Sequence, residues 1–452
     1  MTTSPSTTGT DFEKLVALEE RQVRCPFGAY NQLREKAPVA WDERLRAWVL
    51  TRHADIKAVA GDSETFSSRS ASGNSSVTAL AHRVIEDDSY SETTKAQARR
   101  RLDLSASPAL LNCDPPHHKR QRRLVQSAFA RGRVLEMEDD IARLTHKLID
   151  NWIDRGEVDF IREFTLPLPM TVIAKILGVP PSRMAEFKEW SDAFTKGVGS
   201  LELPTSQIVQ LFQSVDDFYS YFTEQLELRR SHPCDDLLTG LVEARFEDDQ
   251  PLTTDECLQM LVVFLVGGNE TTTNLLGSSI LRLVVAPDLR ASVTADRGLI
   301  PALIEEVLRL HSPIQGLFRT ATRDVTVGGQ SVSAGENLYL AWGAGNHDAD
   351  RFPDPDNVDL NRGRATGHLA FGHGEHTCLG ANLARSETRI ALNVLLDRLT
   401  DFEIGGVADH PRHPSFVLHG PAAITLRFRK VEARGPVSST SAVSEKPAAS
   451  SR

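Results

Sequence analysis

A mainly α fold with a small β portion, contained in one domain, is what the sequence predicts, and three observations predict it. Apolar residues recur at helical spacing over 135–153, 207–229, 254–286, 299–311 and 379–398. Strand signals are sparse. No internal repeat and no clear linker divides the 452 residues, so a single large domain is expected.

Taken in chain order, residues 1–11 are rich in Thr and Ser and have little to bury. Residues 431–452 read the same way, which leaves two disordered ends around a domain at 12–430. AWVLTRH (47–53) reads as a strand, RDVTVGGQSVSAGENLYL (323–340) as a hairpin turning on its glycine pair, and AITLRF (423–428) as a late strand. Segment 67–105 is polar, Ser-rich and heavily charged. It reads as a long mobile loop with a short helix around 92–101, and loops of that length are often lids. The helix candidate at 254–286 opens on a capping box, Thr253 to Glu256, and stops before Pro287. At 1.5 Å per residue it would span roughly 50 Å.

Composition excludes several functions. A net charge of −10, from 51 Lys and Arg against 61 Asp and Glu, argues against a general nucleic-acid binder. Hydrophobic content of 40% and charged content of 25% describe an ordinary soluble protein. The five cysteines are scattered without CxxC spacing, so neither a disulfide framework nor a structural zinc site is supported. The first residues lack a basic stretch and an apolar core, and MLVVFLV (260–266) is too short to cross a membrane. A soluble cytoplasmic protein is expected.

Four stretches carry the chemistry. GGNETTTN (267–274) puts two glycines, an acid and hydroxyls inside an apolar helix. Either the helix surfaces or breaks there, or it opens locally for a ligand with Glu270 and Thr271 as a proton path. In LIEEVLRLHSP (303–313), Glu306 and Arg309 share a helix face among apolar neighbours, which suits a buried structural pair as well as a solvated one. DPPHHKRQRRLV (114–125) reads as a helix capped by Asp114, the most basic patch in an acidic chain. It is either a solvated basic face or an anion clamp using His118 and Arg122. FGHGEHTCLG (371–380) sets Cys378 at the start of a helix, where free N–H groups and the helix dipole favour a thiolate. His373 and His376 alone make a weak zinc site, and a Cys/His nucleophile would not need Gly372, Gly374 and Gly380. A thiolate gripping a large planar cofactor accounts for thiol, helix start and glycines together.

FGHGEHTCLG matches Phe, Gly, x, Gly, x, His, x, Cys, x, Gly at every fixed position. In this it resembles the cysteine-ligand loop of the cytochrome P450 family, specifically the soluble bacterial haem-thiolate monooxygenases. GGNET (267–271) is similar to that family's oxygen-activation motif, with Gly267 where Ala and Glu270 where Asp is commoner. EEVLR supplies its Glu-x-x-Arg pair as Glu306 and Arg309, and DNVDLNR places the third member at Arg362, with Val358 where an aromatic is usual.

The resemblance implies the single-domain cytochrome P450 fold, with haem b (iron protoporphyrin IX) between the long central helix and the cysteine-ligand loop and helix. It makes Cys378 the iron ligand, whose electron donation favours O–O cleavage. Phe371, Gly372 and Gly380 would surround the sulfur, and His118, Arg122, Arg319 and His376 would bind the propionates. Gly268 would open the central helix over the iron, and Glu270 and Thr271 would relay protons. Glu306, Arg309 and Arg362 would be structural. Substrate would face Val263, Val266, Gly267, Ile314, Leu317, Phe318, Phe416 and Val417, with the 67–112 segment as a lid or a carrier-protein contact.

The implied activity is monooxygenation of a hydrophobic small molecule, by hydroxylation or epoxidation, in natural-product biosynthesis. Electrons would come from a ferredoxin and its NAD(P)H-dependent ferredoxin reductase, because no flavin or nucleotide domain is evident in the sequence. Docking is expected near Arg120, Arg123 and Arg385. A monomer with no membrane and no nucleic-acid partner is implied. Two rivals keep the haem: a peroxide-driven peroxygenase, against which the Glu270–Thr271 pair speaks, and a non-enzymatic haem-binding sensor, which has no reason to keep that pair.

Overall fold

Thr253 accepts a hydrogen bond from the Glu256 N–H and Glu256 returns one to the Thr253 N–H, so the longest helix starts on a closed capping box. It runs without a break from Thr254 to Val285 and ends where Pro287 begins the next helix. The computed structural model that shows this describes residues 5–73, 76–199, 201–362, 367–405 and 411–431. Helices Pro167–Ile176, Met184–Lys196, Thr205–Ser231, Ile300–His311 and Ala381–Arg398 all pack on the central helix. Leu275, Leu276, Ile280 and Leu283 on it are at most 1% exposed. Each contributes roughly 1.5–3 kcal/mol of burial, an upper range for this bookkeeping.

The β portion is divided into three sheets. A five-stranded sheet runs Val39–Asp42, Ala47–Leu50, Asn337–Leu340, Leu317–Ala321, Phe66–Ser67. Its second and third strands pair in parallel and the other pairs are antiparallel. Val325–Val327 and Gln330–Val332 form the hairpin expected from the glycine pair, with Gly328 and Gly329 at φ +54° and +83°. Glu157–Asp159, Thr425–Lys430 and Leu399–Ile404 make a three-stranded sheet.

Three expectations are corrected. The 67–105 segment is no long mobile loop: beside Glu92–Ser105, where a short helix around 92–101 is expected, its described residues hold a second helix, Val77–Glu86, and the two are capped by Ser91 and Ser76. Val77, Leu80, Ala81 and Val84 face the main core, and Arg101 donates to Gln259 on the central helix at 3.1 Å. Residues 5–10, expected to be disordered with the rest of 1–11, are tied to the sheet. Ser6 bridges Trp41, and the Thr7 hydroxyl, 2% exposed, donates to Asp42 at 2.6 Å. Asp114 caps no helix: His117–Val125 begins after Pro116, and the Asp114 carboxylate accepts from the Ser67 hydroxyl and the Ser68 N–H instead. Of the C-terminal tail, residues 432–452 lie outside the described part, while the Val431 N–H still reaches Arg398 O at 2.9 Å.

Candidate haem-thiolate site

The Cys378 N–H donates to Phe371 O at 2.8 Å, which closes FGHGEHTC into a tight loop before helix Ala381–Arg398. Cys378 keeps exposed surface although it lies deep among surrounding protein atoms. Burial pushes its thiol above its ordinary value, against the Gly380 and Ala381 N–H groups and the charges of Arg122 and Arg385. The helix-start N–H groups favour the thiolate as expected, but burial outweighs them. A metal cation would hold the thiolate, because a coordinating thiol is deprotonated outright.

The three glycines differ. Gly372 and Gly374 sit at φ +69° and +75°, and a Cβ on Gly374 would come within 2.6 Å of Ala60 O. Their conformations demand glycine, whatever binds at the sulfur. A Cβ on Gly380 would meet nothing within 4 Å, so clearance is the reading left for it alone.

Around the loop stands a rim of basic side chains. His118 and His376 lie ring to ring, centroids 4.0 Å apart, with His118 Nδ1 and His376 Nε2 both buried and unpartnered. Arg319 is 3% exposed and, among the described residues, donates only to the carbonyl of its neighbour Phe318, while Arg122 donates to Thr377 O at 2.7 Å. Among the described residues no carboxylate forms an ion pair with any of the four. Burial, then His118, Arg319 and Arg122, depress His376 to about 2. Burial depresses Arg319 to about 10, and His118 also falls, by burial and then Arg122. The two imidazoles are pushed toward their neutral form while Arg319 keeps its charge at neutral pH, so the cluster favours an anionic ligand. It fits a group carrying two carboxylates on its edge and a metal for Cys378, as haem does.

The central helix does not break at GGNETTTN. The Thr271 hydroxyl donates to Gly267 O at 2.7 Å, one turn back. Gly267 has open space where a Cβ would stand, and Gly268 does not: a Cβ there would lie 3.0 Å from Ile173. The open glycine is thus Gly267, and Gly268 is a packing glycine against the Pro167–Ile176 helix, which corrects its expected role. Glu270, 6% exposed, has its carboxyl raised by burial; His413 opposes that, Asp192 adds to it and Lys188 opposes it. His413 Nε2 stands 3.1 Å from Glu270 Oε1. No local pattern pointed to His413, because only the fold brings its segment to the helix.

Glu306 and Arg309 form a two-pronged buried pair, both bonds 2.9 Å, and Arg362 joins Glu306 at 3.2 Å. Arg309 also donates to Asn346 O, Pro355 O and Asn357 O, pinning segment 346–357 to the helix. Phe371 lies beneath the Arg385 guanidinium at 4.5 Å. Of the expected substrate contacts, Val263, Val266, Gly267, Ile314 and Leu317 keep some exposed surface. Phe318, Phe416 and Val417 do not: they are at most 3% exposed and pack with Tyr339 in a core beside the five-stranded sheet. The docking cations are engaged within the chain. Arg120 pairs with Asp248 at 2.6 Å, Arg123 with Glu247, and Arg385 with Glu305 at 2.6 Å.

Known proteins resemble this chain in sequence and fold. A family model described as cytochrome P450 matches residues 206–425. Cytochrome P450 107B1 of Saccharopolyspora erythraea is 37% identical, covering 90% of this chain and 95% of its own length. The mycinamicin IV hydroxylase/epoxidase of Micromonospora griseorubida is 34% identical over 84% of this chain and 89% of its own. A solved structure of P450BioI, in complex with an acyl carrier protein ligated to hexadec-9Z-enoic acid, superposes with a TM-score of 0.79. That pair is 27% identical, with 91% of this chain and 99% of the other covered. Fold, cysteine loop and relatives agree: the chain belongs to the cytochrome P450 family and is a monooxygenase.

Proposed function

We propose that this monooxygenase places one atom of O2 on a hydrophobic small molecule of secondary metabolism, by hydroxylation or epoxidation, in the cytoplasm and as a monomer. The observation that carries the reading is the rim of four basic groups beside the Cys378 loop, none of them ion-paired to an acid among the described residues. Haem is the cofactor of the family, and haem b, ligated by Cys378, would supply the oxygen chemistry when bound. His118, Arg122, Arg319 and His376 would hold its carboxylates, and Phe371 would pack beside the sulfur. Glu270 keeps its proton to higher pH than an ordinary carboxyl, which suits a donor, and Thr271 offers a hydroxyl on the open Gly267 side of the helix. Val263, Val266, Ile314 and Leu317 present apolar surface that excludes water and favours an apolar substrate.

Ferredoxin with its NAD(P)H-dependent reductase is the proposed electron source. A candidate docking place is a groove of about 320 Å³ between helices Arg131–Asp150, Ile300–His311 and Ala381–Arg398, lined by Arg131, Leu135 and the ion pairs Arg385–Glu305 and Arg389–Glu138. Leu135 is 53% exposed there. Substrate delivered on a carrier protein is the second reading, favoured by the carrier protein seated on P450BioI. No helix among the described residues is long and apolar enough to cross a membrane.

The purified protein should give the red-shifted Soret band of a thiolate-ligated ferrous CO complex. It should also turn over with reduced ferredoxin and not with peroxide alone. Turnover by peroxide alone would make it a peroxygenase, and activity indifferent to Thr271→Ala would favour a sensor. Screening metabolites for the low-spin to high-spin shift identifies the substrate class.

A further inference from the structure

A buried acid can donate protons repeatedly only if something returns them. Glu270 is enclosed by the central helix, by helix Met184–Lys196 and by segment 411–421. That segment closes tightly over the helix further along. A Cβ on Gly420 would stand 2.0 Å from Asn274 Oδ1, and one on Gly277 would stand 2.7 Å from Pro421. Asn274 is fully buried with neither amide atom partnered. At Glu270 the same segment instead supplies His413.

His413 touches both phases. Its side chain is 32% exposed, against 8% for Glu270, and Nε2 lies 3.1 Å from Oε1. The ring N–H is not aimed at that oxygen, and neither atom has a conventional hydrogen-bond partner. The contact is electrostatic, and a small ring rotation would make it a hydrogen bond. The other charged groups facing Glu270 are Lys188 and Asp192 on helix Met184–Lys196, paired with each other at 2.5 Å, with Arg412 beside His413 in the chain.

We propose that His413 is the proton port of this enzyme, taking protons from solvent and returning them to Glu270; this rests on the reading of Glu270 as the donor. In the step, the Nε2–H bond of the imidazolium breaks and an O–H bond forms on Glu270 Oε1. The neutral ring, still protonated on Nδ1, then rotates so that its bare Nε2, buried in the resting position, meets solvent and takes a replacement proton from water. Imidazole is the side chain whose ordinary titration spans neutral pH, so it can both accept and release at working pH. Lys188 is committed to Asp192.

The test uses His413→Gln, which keeps a polar side chain but carries no proton, and His413→Lys, which keeps a charge. Infrared titration of the resting protein follows the Glu270 carboxyl band. The band is assigned by its loss in Glu270→Gln, because buried Glu387, raised by burial to about 8, also contributes. The Glu270 midpoint should move up in His413→Gln, where a neighbouring cation is lost, and stay near its wild-type position in His413→Lys. In turnover with reduced ferredoxin, product formed per NAD(P)H should fall roughly tenfold to a hundredfold in both variants, at or below the low end of a positioned proton donor's contribution. The solvent isotope effect should rise while the melting temperature stays fixed. Unchanged coupling and isotope effect in His413→Gln, with Glu270→Gln still uncoupled, would overturn the port and leave the relay standing. No effect of Glu270→Gln would remove the relay and the port with it. A coupling loss confined to Asn274→Leu would move the path onto the central helix and also overturn His413.

Discussion

Two charged clusters in this chain follow opposite rules. Around Glu305 and Glu306 every acid has its base. Glu306 takes both prongs of Arg309, then Arg362 and the Asp359 N–H, while Glu305 takes Arg385 and His368. Around Cys378, His118, Arg122, Arg319 and His376 crowd together, and among the described residues none of the four is ion-paired to an acid; Asp114 and Glu375 act on the rim only from a distance. A charge buried with its partner holds parts of one fold together; a charge buried without one destabilises the fold until a ligand supplies the missing sign. The first cluster therefore belongs to the chain's own stability, and the second to what the chain binds.

The largest expected effect tests the paired cluster. Arg309→Ala leaves Glu306 buried and releases three carbonyls of the 346–357 segment, and should cost about 3–5 kcal/mol in denaturant unfolding. Arg319→Met tests the other side of the contrast. It should not destabilise the haem-free protein, yet should weaken haem retention roughly tenfold to a hundredfold, as loss of a charged hydrogen bond implies. Destabilisation of the haem-free form would show that the chain itself compensates the Arg319 charge.

Acid separates the clusters next. Burial raises Glu305, but Arg385 and then His368 more than reverse this, down to about 2. The folded value lies below the unfolded one, so its contribution is complete above the ordinary 4.5 and is lost only as pH falls from there toward about 2. The rim responds earlier. His376 is held near 2 in the fold against an ordinary 6.5, so the unfolded chain binds the extra proton as pH drops below 6.5. The haem-free protein should begin to lose melting temperature there, before its carboxylates titrate, and His376→Gln should flatten that slope. Smallest of all, Arg123→Ala removes an exposed pair with Glu247 and should change stability by about 0–1 kcal/mol.

How much of this could be read in the sequence depended on whether the deciding neighbours were local. The capping box at Thr253, the turn at Gly328–Gly329 and the helical spacing of Glu306 and Arg309 are all settled within a few residues, and the corresponding elements stand where expected. Helix Val77–Glu86 was legible too: Val77, Leu80, Ala81 and Val84 have the spacing of one helix face behind a Ser76 cap. Its polar, charged surroundings hid that signal. Strand Leu317–Ala321 takes its partners from segments near 66 and 338, and that pairing buries Phe318 where an open substrate face was expected. The meeting of His413 with Glu270, and of Ile173 with Gly268, likewise exists only once the chain is folded.

The unequal glycines of the cysteine loop bear on how this enzyme can be evolved in a laboratory. In a saturation library, positions 372 and 374 would be barred by backbone conformation, and position 374 by the Ala60 carbonyl as well, whether or not a cofactor is bound. Position 380 is different, since the folded chain itself leaves room there. Intolerance at 380 would therefore be a selection signal from the cofactor alone, and comparing survival at these three positions would separate the demands of folding from those of haem binding without a further structure.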